Sequence, residues 1–206
     1  MVHLAESSFY EEVSRRLEKC DAIFYEGVRS KHVSRLTRSY RWLARRERLG
    51  LVLQSEYLDL QPLRDRVIRA DLPTRDFNAR WQSLPLPLRL LVAVLVSPVA
   101  LALYLTDSRE AIAKRLTRSS LPASEAFEAD DAYADALEAV VVDARDQRLA
   151  QVLSRYIEDN GDNEATAAIV FGAGHVEGIQ RFLTRKLRFR PAGGSQIVVF
   201  GLEPAA

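Results

Sequence analysis

With a single cysteine, Cys20, among 206 residues, the chain has no means of forming an internal disulfide or a zinc cluster held by cysteines. Charge of one sign is equally scarce in excess. The 29 basic and 28 acidic residues leave a net charge of +1, so no global field draws the chain toward nucleic acid or an acidic surface. The opening residues lack the basic–apolar–small pattern of a secretory signal, and a reducing, cytosolic compartment is the expectation. No repeat and no low-complexity tract is present. What is there is ordinary for a globular protein: 48% apolar and 28% charged residues, in a chain long enough to bury one medium core.

Long apolar runs are also few, and one is notable. Leu90 to Leu105 is apolar apart from Ser97, Pro98 and Tyr104. It falls just short of the ~20 residues that a bilayer core requires, and Pro98 interrupts it. A buried helix, an interfacial or re-entrant segment and a short kinked span all fit this pattern.

Ala167 to Phe171 is a short run containing β-branched residues, as in a buried strand. Gly172 and Gly174 break it, and here the missing Cβ is expected to allow otherwise forbidden backbone conformations. His175 follows at once. Val176, Ile179, Phe182, Leu183 and Leu187 then recur at helical spacing. Strand, glycine turn and helix together deliver one imidazole to the end of a sheet, where open α/β folds place their ligands. Such junctions are common, however, and a lone histidine in one ordinarily makes a structural hydrogen bond. Its meaning depends on its neighbours.

Elsewhere, Ser8-Phe9-Tyr10-Glu11 has capping-box spacing ahead of a helix through Val13 and Leu17. Cys20 follows that helix, as a small packed residue. Ala22 to Tyr25 is a brief apolar strand ended by Glu26-Gly27. Lys31 to Arg48 is a basic helical stretch, Leu49 to Leu63 continues as helix, and Arg66 to Asp71 is a short strand. A helix starts at Pro73-Thr74, and Ser108 to Arg118 resumes a charged amphipathic pattern. A long helical stretch runs from Ser124 to Tyr156 and is closed by Asn160-Gly161, with Gly161 suited to a left-handed cap. Arg188 to Pro191 and Gln196 to Leu202 complete the chain as two further strands. The expected class is α/β (α+β), with a mixed central sheet built from strands near both chain ends and a largely helical middle. A single domain over 1–206 would carry a helical insertion around 31–125.

Within the long helix, Val141, Arg145 and Leu149 fall four residues apart on one apolar face. An arginine there requires a partner, because an unpaired buried charge is costly. A carboxylate such as Glu26, or an anionic substrate, would supply it.

The order of these features resembles the TraB/PrgY, TIKI and GumN superfamily. Its pattern is a G-x-x-H after a first strand, a helix, a strand ending in glutamate, an E-R-D motif on a helix and a second G-x-x-H after a strand. Here H-L-A-E-S-S-F-Y-E-E-V follows the first motif with His3 as its histidine, and I-F-Y-E-G carries Glu26. Arg145 and Asp146 stand in the E-R-D region, and Gly172-Ala173-Gly174-His175 is the second G-x-x-H. Two departures are plain: the first glycine would precede Met1, and Ala144 replaces the E-R-D glutamate.

The resemblance implies a hydrolase or peptidase, with metal-activated water attacking an amide or ester of a peptide or small molecule. His3, His175 and Glu26 would hold manganese, cobalt or zinc. Glu26 would ligate the ion or act as general base, and Arg145 would orient a carboxylate or stabilise oxyanion charge. Asp146, Gly172 and Gly174 would support the site. Some relatives are thought to act without metal through a histidine base, and PrgY-like relatives to sequester peptides without turnover. If both chain ends build one site, they lie on one side of any membrane. Residues 90–105 are then expected to form a core helix or a surface for homodimerisation or membrane contact.

Overall fold

Three short parallel strands organise the chain, with β2 (Ala22–Tyr25) between β4 (Val67–Arg69) and β5 (Ala167–Val170). The structure is a computed structural model that describes residues 1–28, 30–36, 38–94, 108–110, 112–113, 131–160 and 164–202. In register, Tyr25 lies opposite Arg69 on one side and Val170 on the other, so all three strands end at one edge. β2 is almost wholly buried because it is covered on both faces, which accounts for its continuous apolar run.

On one face Ile23 and Val170 pack against Phe9, Tyr10 and Leu17 of α1 (Ser7–Leu17). On the other, Ala22, Phe24 and Phe171 meet Leu149 and Leu153 of the long helix and Ile179, Phe182 and Leu183 of the last one. A separate antiparallel pair joins β1 (Leu4–Ala5) to β3 (Val52–Leu53). Leu4 and Leu53 pack there with Leu43, Leu49, Leu51 and Ile112. The protein is therefore an α/β fold with strands drawn from both chain ends, its parallel and antiparallel pairings divided between two small sheets.

The middle contains more than helix. Helices α2 (Lys31–Leu36), α3 (Arg38–Ala44), α4 (Gln54–Tyr57) and α5 (Thr74–Ser83) lie in 31–125, but so do β3 and β4. The helix expected over Leu49 to Leu63 forms only in part, as the short α4 and a later tight turn. Gly50 adopts a left-handed conformation with φ 56°, Val52 and Leu53 are drawn into pairing with β1, and a tight helical turn begins at Gln61-Pro62. Lys31 to Arg48 is helical over α2 and α3, with residue 37 between them outside the described residues.

Helix α6 (Asp131–Glu138) passes through a π-helical stretch, Ala139–Asp143, into α7 (Ala144–Asn160). The extra residue per turn re-phases the helix just before Arg145 and Asp146. β5 leads through a single tight turn, Ala173–His175, into α8 (Val176–Arg185).

Ser8 does not cap α1. The helix starts at Ser7, its N-cap is Glu6, and no side-chain bond from the cap closes the turn. The Glu6 carboxylate accepts instead from the buried Arg109 guanidinium at 2.8 Å. Cys20 is buried, its thiol 3.4 Å from the Arg16 carbonyl.

The two strands expected over Arg188 to Pro191 and Gln196 to Leu202 are absent from the described sheets. Arg188 takes φ 60°, and the Phe189 amide donates back to Leu183 at 3.0 Å, so this segment serves to close α8. The later segment makes one strand-like backbone contact among the described residues, Glu6 N–H to Val199 C=O at 2.9 Å.

Among the described residues no helix is long and apolar enough to cross a membrane. Positions 95–105 of the apolar segment, and Ser124 to Asp130, Gly161 and 114–118, lie outside the described residues.

Candidate active site

The common edge of the parallel sheet gathers polar groups from five places. Glu26 follows β2, Asp71 follows β4 and Gly172 follows β5, while α7 supplies Arg145 and Asp146 and the tight turn supplies His175. All three strand ends point the same way, so their C-terminal residues converge, as expected of a parallel sheet.

Arg145 and Asp71 form the firmest pair. Nε donates to Asp71 Oδ1 at 2.9 Å and Nη2 to Oδ2 at 2.7 Å, a two-pronged bond with both side chains largely buried. The Gly27 and Leu72 amides also donate to this carboxylate, each at 2.8 Å. Burial pushes the Asp71 carboxyl up, but the hydrogen bonds and charge of Arg145, with the two amides, outweigh it and hold the group below its ordinary value. Burial likewise opposes the charge of Arg145, and Asp71 overrides it, leaving the guanidinium more basic than usual.

Arg145 thus has the carboxylate partner its burial requires, but the main partner is Asp71 rather than Glu26. Glu26 stands 3.4 Å from Nη2. Its Oε2 accepts the Gly172 amide at 2.8 Å, while Oε1 takes no hydrogen bond from the described residues. Asp71 carried the same signal as Glu26 in the sequence, a carboxylate just past a short strand. What was missing was the knowledge that the two strands are neighbours.

His175 is 5% exposed. Its Nδ1 lies 2.7 Å from Asp146 Oδ1, and Phe171 meets the ring edge-on at 5.5 Å. The 2.7 Å contact assigns the Nδ1 proton to this bond, so Asp146 fixes the tautomer and turns Nε2 toward Glu26, 3.9 Å from Oε2. Gly178, in the first turn of α8, leaves room for the Asp146 carboxylate, since a Cβ there would stand 2.0 Å from Oδ2. Nothing in the sequence singled out Gly178 beyond its being a glycine inside a strongly amphipathic helix.

The glycines of G-A-G-H act differently from the expectation. Positive φ occurs among the described residues at Gly50 and Arg188, not at Gly172 or Gly174. Gly172 contributes its amide, and a Cβ on it would meet Glu26 and His175 at ordinary contact distances of 3.5 Å and more. Gly174 faces open space.

His3 is exposed at the start of β1, its ring 5.5 Å from that of Tyr40. It lines a cavity of ≈ 780 Å³ together with Tyr25, Glu26, Gln54 and Arg145. His175 is not among the residues lining it. The expected ligand set of His3, His175 and Glu26 is not assembled: among the described residues no group of three or more His, Cys, Asp or Glu is placed to hold a metal ion. The two facing donors, His175 Nε2 and Glu26 Oε2, have a guanidinium beside them at 3.4 Å. This donor set does not fit a resident divalent ion.

The chain matches no protein-family model, no curated protein and no solved structure.

Proposed function

We propose that the protein is a hydrolase of an amide or ester in a peptide or small molecule, built on the plan of the TraB and TIKI type but working by proton transfer between protein side chains. One observation carries this reading: an imidazole anchored by Asp146 at 2.7 Å faces the Glu26 carboxylate across 3.9 Å at the C-terminal edge of a parallel sheet. Pairs of titratable groups held in distinct environments at such an edge are the usual raw material of acid–base catalysis.

Glu26 is the member of the pair that reaches the cavity. In the proposed reaction its carboxylate takes a proton from water as the water oxygen attacks the substrate carbonyl carbon. The proton then passes to the leaving nitrogen or oxygen as the C–N or C–O bond breaks. His175 lies behind Glu26 and is a positioning residue. The 3.9 Å separation exceeds a hydrogen bond, and a rotation of the Glu26 carboxyl closes it, letting ring and carboxyl share one proton. Arg145, held rigid by Asp71, places positive charge at the cavity wall where negative charge develops on the carbonyl oxygen.

A second reading, ligand binding without turnover, is favoured by the burial of His175 and its absence from the cavity wall. The two are separated by assaying a panel of fluorogenic peptide amides and esters with the wild type, Glu26→Ala and His175→Ala. The hydrolase reading expects turnover that falls by about 10²-fold or more in Glu26→Ala. Turnover equal in all three proteins sinks it, and saturable binding with no turnover in the wild type selects the second reading.

A further inference from the structure

The cavity beside Glu26 has a charge pattern that the acid–base chemistry does not use. Lys31, the first residue of α2, and Arg41, from α3, line it on the side formed by those helices. Arg41 donates to the Ser34 carbonyl at 3.4 Å. Neither Lys31 nor Arg41 is paired with a carboxylate among the described residues. Arg145, in contrast, is ion-paired with Asp71 and is assigned above to the reacting carbonyl. Glu26 is the one acidic residue among those lining the cavity. Two uncompensated cations therefore face a concave space of ≈ 780 Å³, a size suited to a small molecule or a few residues of peptide. Low-dielectric walls around like charges focus the field inside such a cleft and raise the local concentration of the opposite charge.

We infer that this cavity binds a carboxylate-bearing ligand, with the anionic group on Lys31 and Arg41 and the group to be hydrolysed beside Glu26. The inference rests on the reading of the cavity as the ligand site given above, and it names the substrate class: an acidic amide or short acidic peptide. A guanidinium and an ammonium lining one cleft are matched to an oxyanion, with the planar fork supplying direction and the ammonium a mobile point charge. Glu26 repels the same anion, so the carboxylate is held at the far side of the cavity and the neutral carbonyl is left at the carboxylate end.

The test uses triglutamate, triglutamine and inorganic phosphate as probes of the full chain, with binding followed by calorimetry at low ionic strength. Triglutamate is expected to bind about tenfold or more tightly than triglutamine, with the difference shrinking as salt is added. The double substitution Lys31→Ala with Arg41→Ala is expected to abolish the difference, while Arg15→Gln, on the exposed face of α1, leaves it intact. Equal binding of the two peptides overturns the inference. So does a preference that survives the double substitution, or one lost equally in Arg15→Gln. Phosphate displacing triglutamate at lower concentration than triglutamate itself saturates overturns the assignment to carboxylates. Because binding is read without turnover, failure of the hydrolase reading leaves these outcomes interpretable: anion preference without hydrolysis keeps the inference and removes only the reaction.

Discussion

The Asp146 carboxylate occupies the space that a side chain at Gly178 would fill, since a Cβ at that position would lie 2.0 Å from Asp146 Oδ2 and 3.1 Å from its Cγ. The glycine is therefore part of the apparatus that orients His175. Gly178→Ala gains roughly 1 kcal/mol of helix propensity, but expels the carboxylate and forfeits a charge-assisted hydrogen bond worth about 1.5–3 kcal/mol. The expected result is a folded protein, slightly less stable, that loses the ring N–H signal of a carboxylate-bonded His175 in proton NMR. Retention of that signal would show that Asp146 accommodates the methyl group and would refute the steric argument.

Asp146→Asn tests orientation without changing shape. An amide in place of the carboxylate removes the charge and can donate as well as accept, so the preference for a proton on Nδ1 is lost. Under the hydrolase reading, turnover is expected to drop by about 10–100-fold, the range seen when a group behind a working residue is removed. The pH profile should change with it, whereas a merely structural role would alter stability and leave the profile in place.

How much of this was legible in the sequence follows from which interactions are local. β2, β5 and α8 were readable because a continuous buried run and a 3.6-residue stripe are written along the chain. The need of Arg145 for a carboxylate followed from the same periodicity, but the single Val141–Leu149 face did not survive: the π-helical stretch sets Val141 against the Phe77–Trp81 cluster and Leu149 against Phe24 and Leu153. The choice of Asp71 over Glu26 did not, because it depends on β4 lying beside β2 with Tyr25 opposite Arg69. His3 and His175 were joined by motif order, and motif order carries no distances. The C-terminal segment looks like strand in composition, but a strand requires a ladder, and among the described residues the Glu6–Val199 bond is the one such contact it makes. The bend at Arg188 was hidden for a related reason: a left-handed arginine is set by the closure of α8, not by propensity.

Arg145 holds two carboxylates at the sheet edge, and its removal leaves both without their cation. With Asp71 at 4% side-chain exposure and Glu26 at 10%, Arg145→Met is expected to cost about 3–5 kcal/mol, the usual penalty for breaking one side of a buried pair. Arg145→Lys should recover part of it, since an ammonium supplies charge but not the two-pronged geometry. Urea unfolding of the three proteins measures this directly. A loss under about 1 kcal/mol for Arg145→Met, the scale of an exposed pair, would mean that water compensates the carboxylates.

The depressed Asp71 carboxyl makes a prediction about acid. Burial alone would raise it, and Arg145 with the Gly27 and Leu72 amides reverses that. With the folded value below the unfolded one of about 3.9, the unfolded state binds more protons in acid, and stability rises with pH through this range. The contribution of Asp71 is thus fully present above about pH 3.9 and is lost as the pH falls through the folded value. Asp71→Asn should be less stable than the wild type at neutral pH, with the gap narrowing as the solution is acidified below about pH 3.9. A gap independent of pH would assign the effect to packing rather than to ionisation.

Arg109 ties together parts of the chain that are remote in sequence. Its Nε donates to the Leu49 carbonyl at 2.8 Å, and its Nη1 donates to Glu6 Oε1 at 2.8 Å and to the Gly201 carbonyl at 2.9 Å. The side chain is 3% exposed, so these bonds are shielded from solvent competition. The same Glu6 oxygen accepts the Gly201 amide at 3.3 Å, and the Glu6 amide donates to Val199. One guanidinium therefore anchors the start of α1, the turn before β3 and the C-terminal segment, which has no ladder of its own among the described residues. Arg109→Ala is expected to lower stability by about 3–5 kcal/mol and, below the global unfolding transition, to release residues 196–201 first. Hydrogen exchange distinguishes the two effects. The Glu6 and Gly201 amides should lose protection far more than Phe24 in the central strand, because the clasp closes the segment and the sheet core does not depend on it. Uniform loss of protection across Glu6, Gly201 and Phe24 would instead make Arg109 a support of the whole fold.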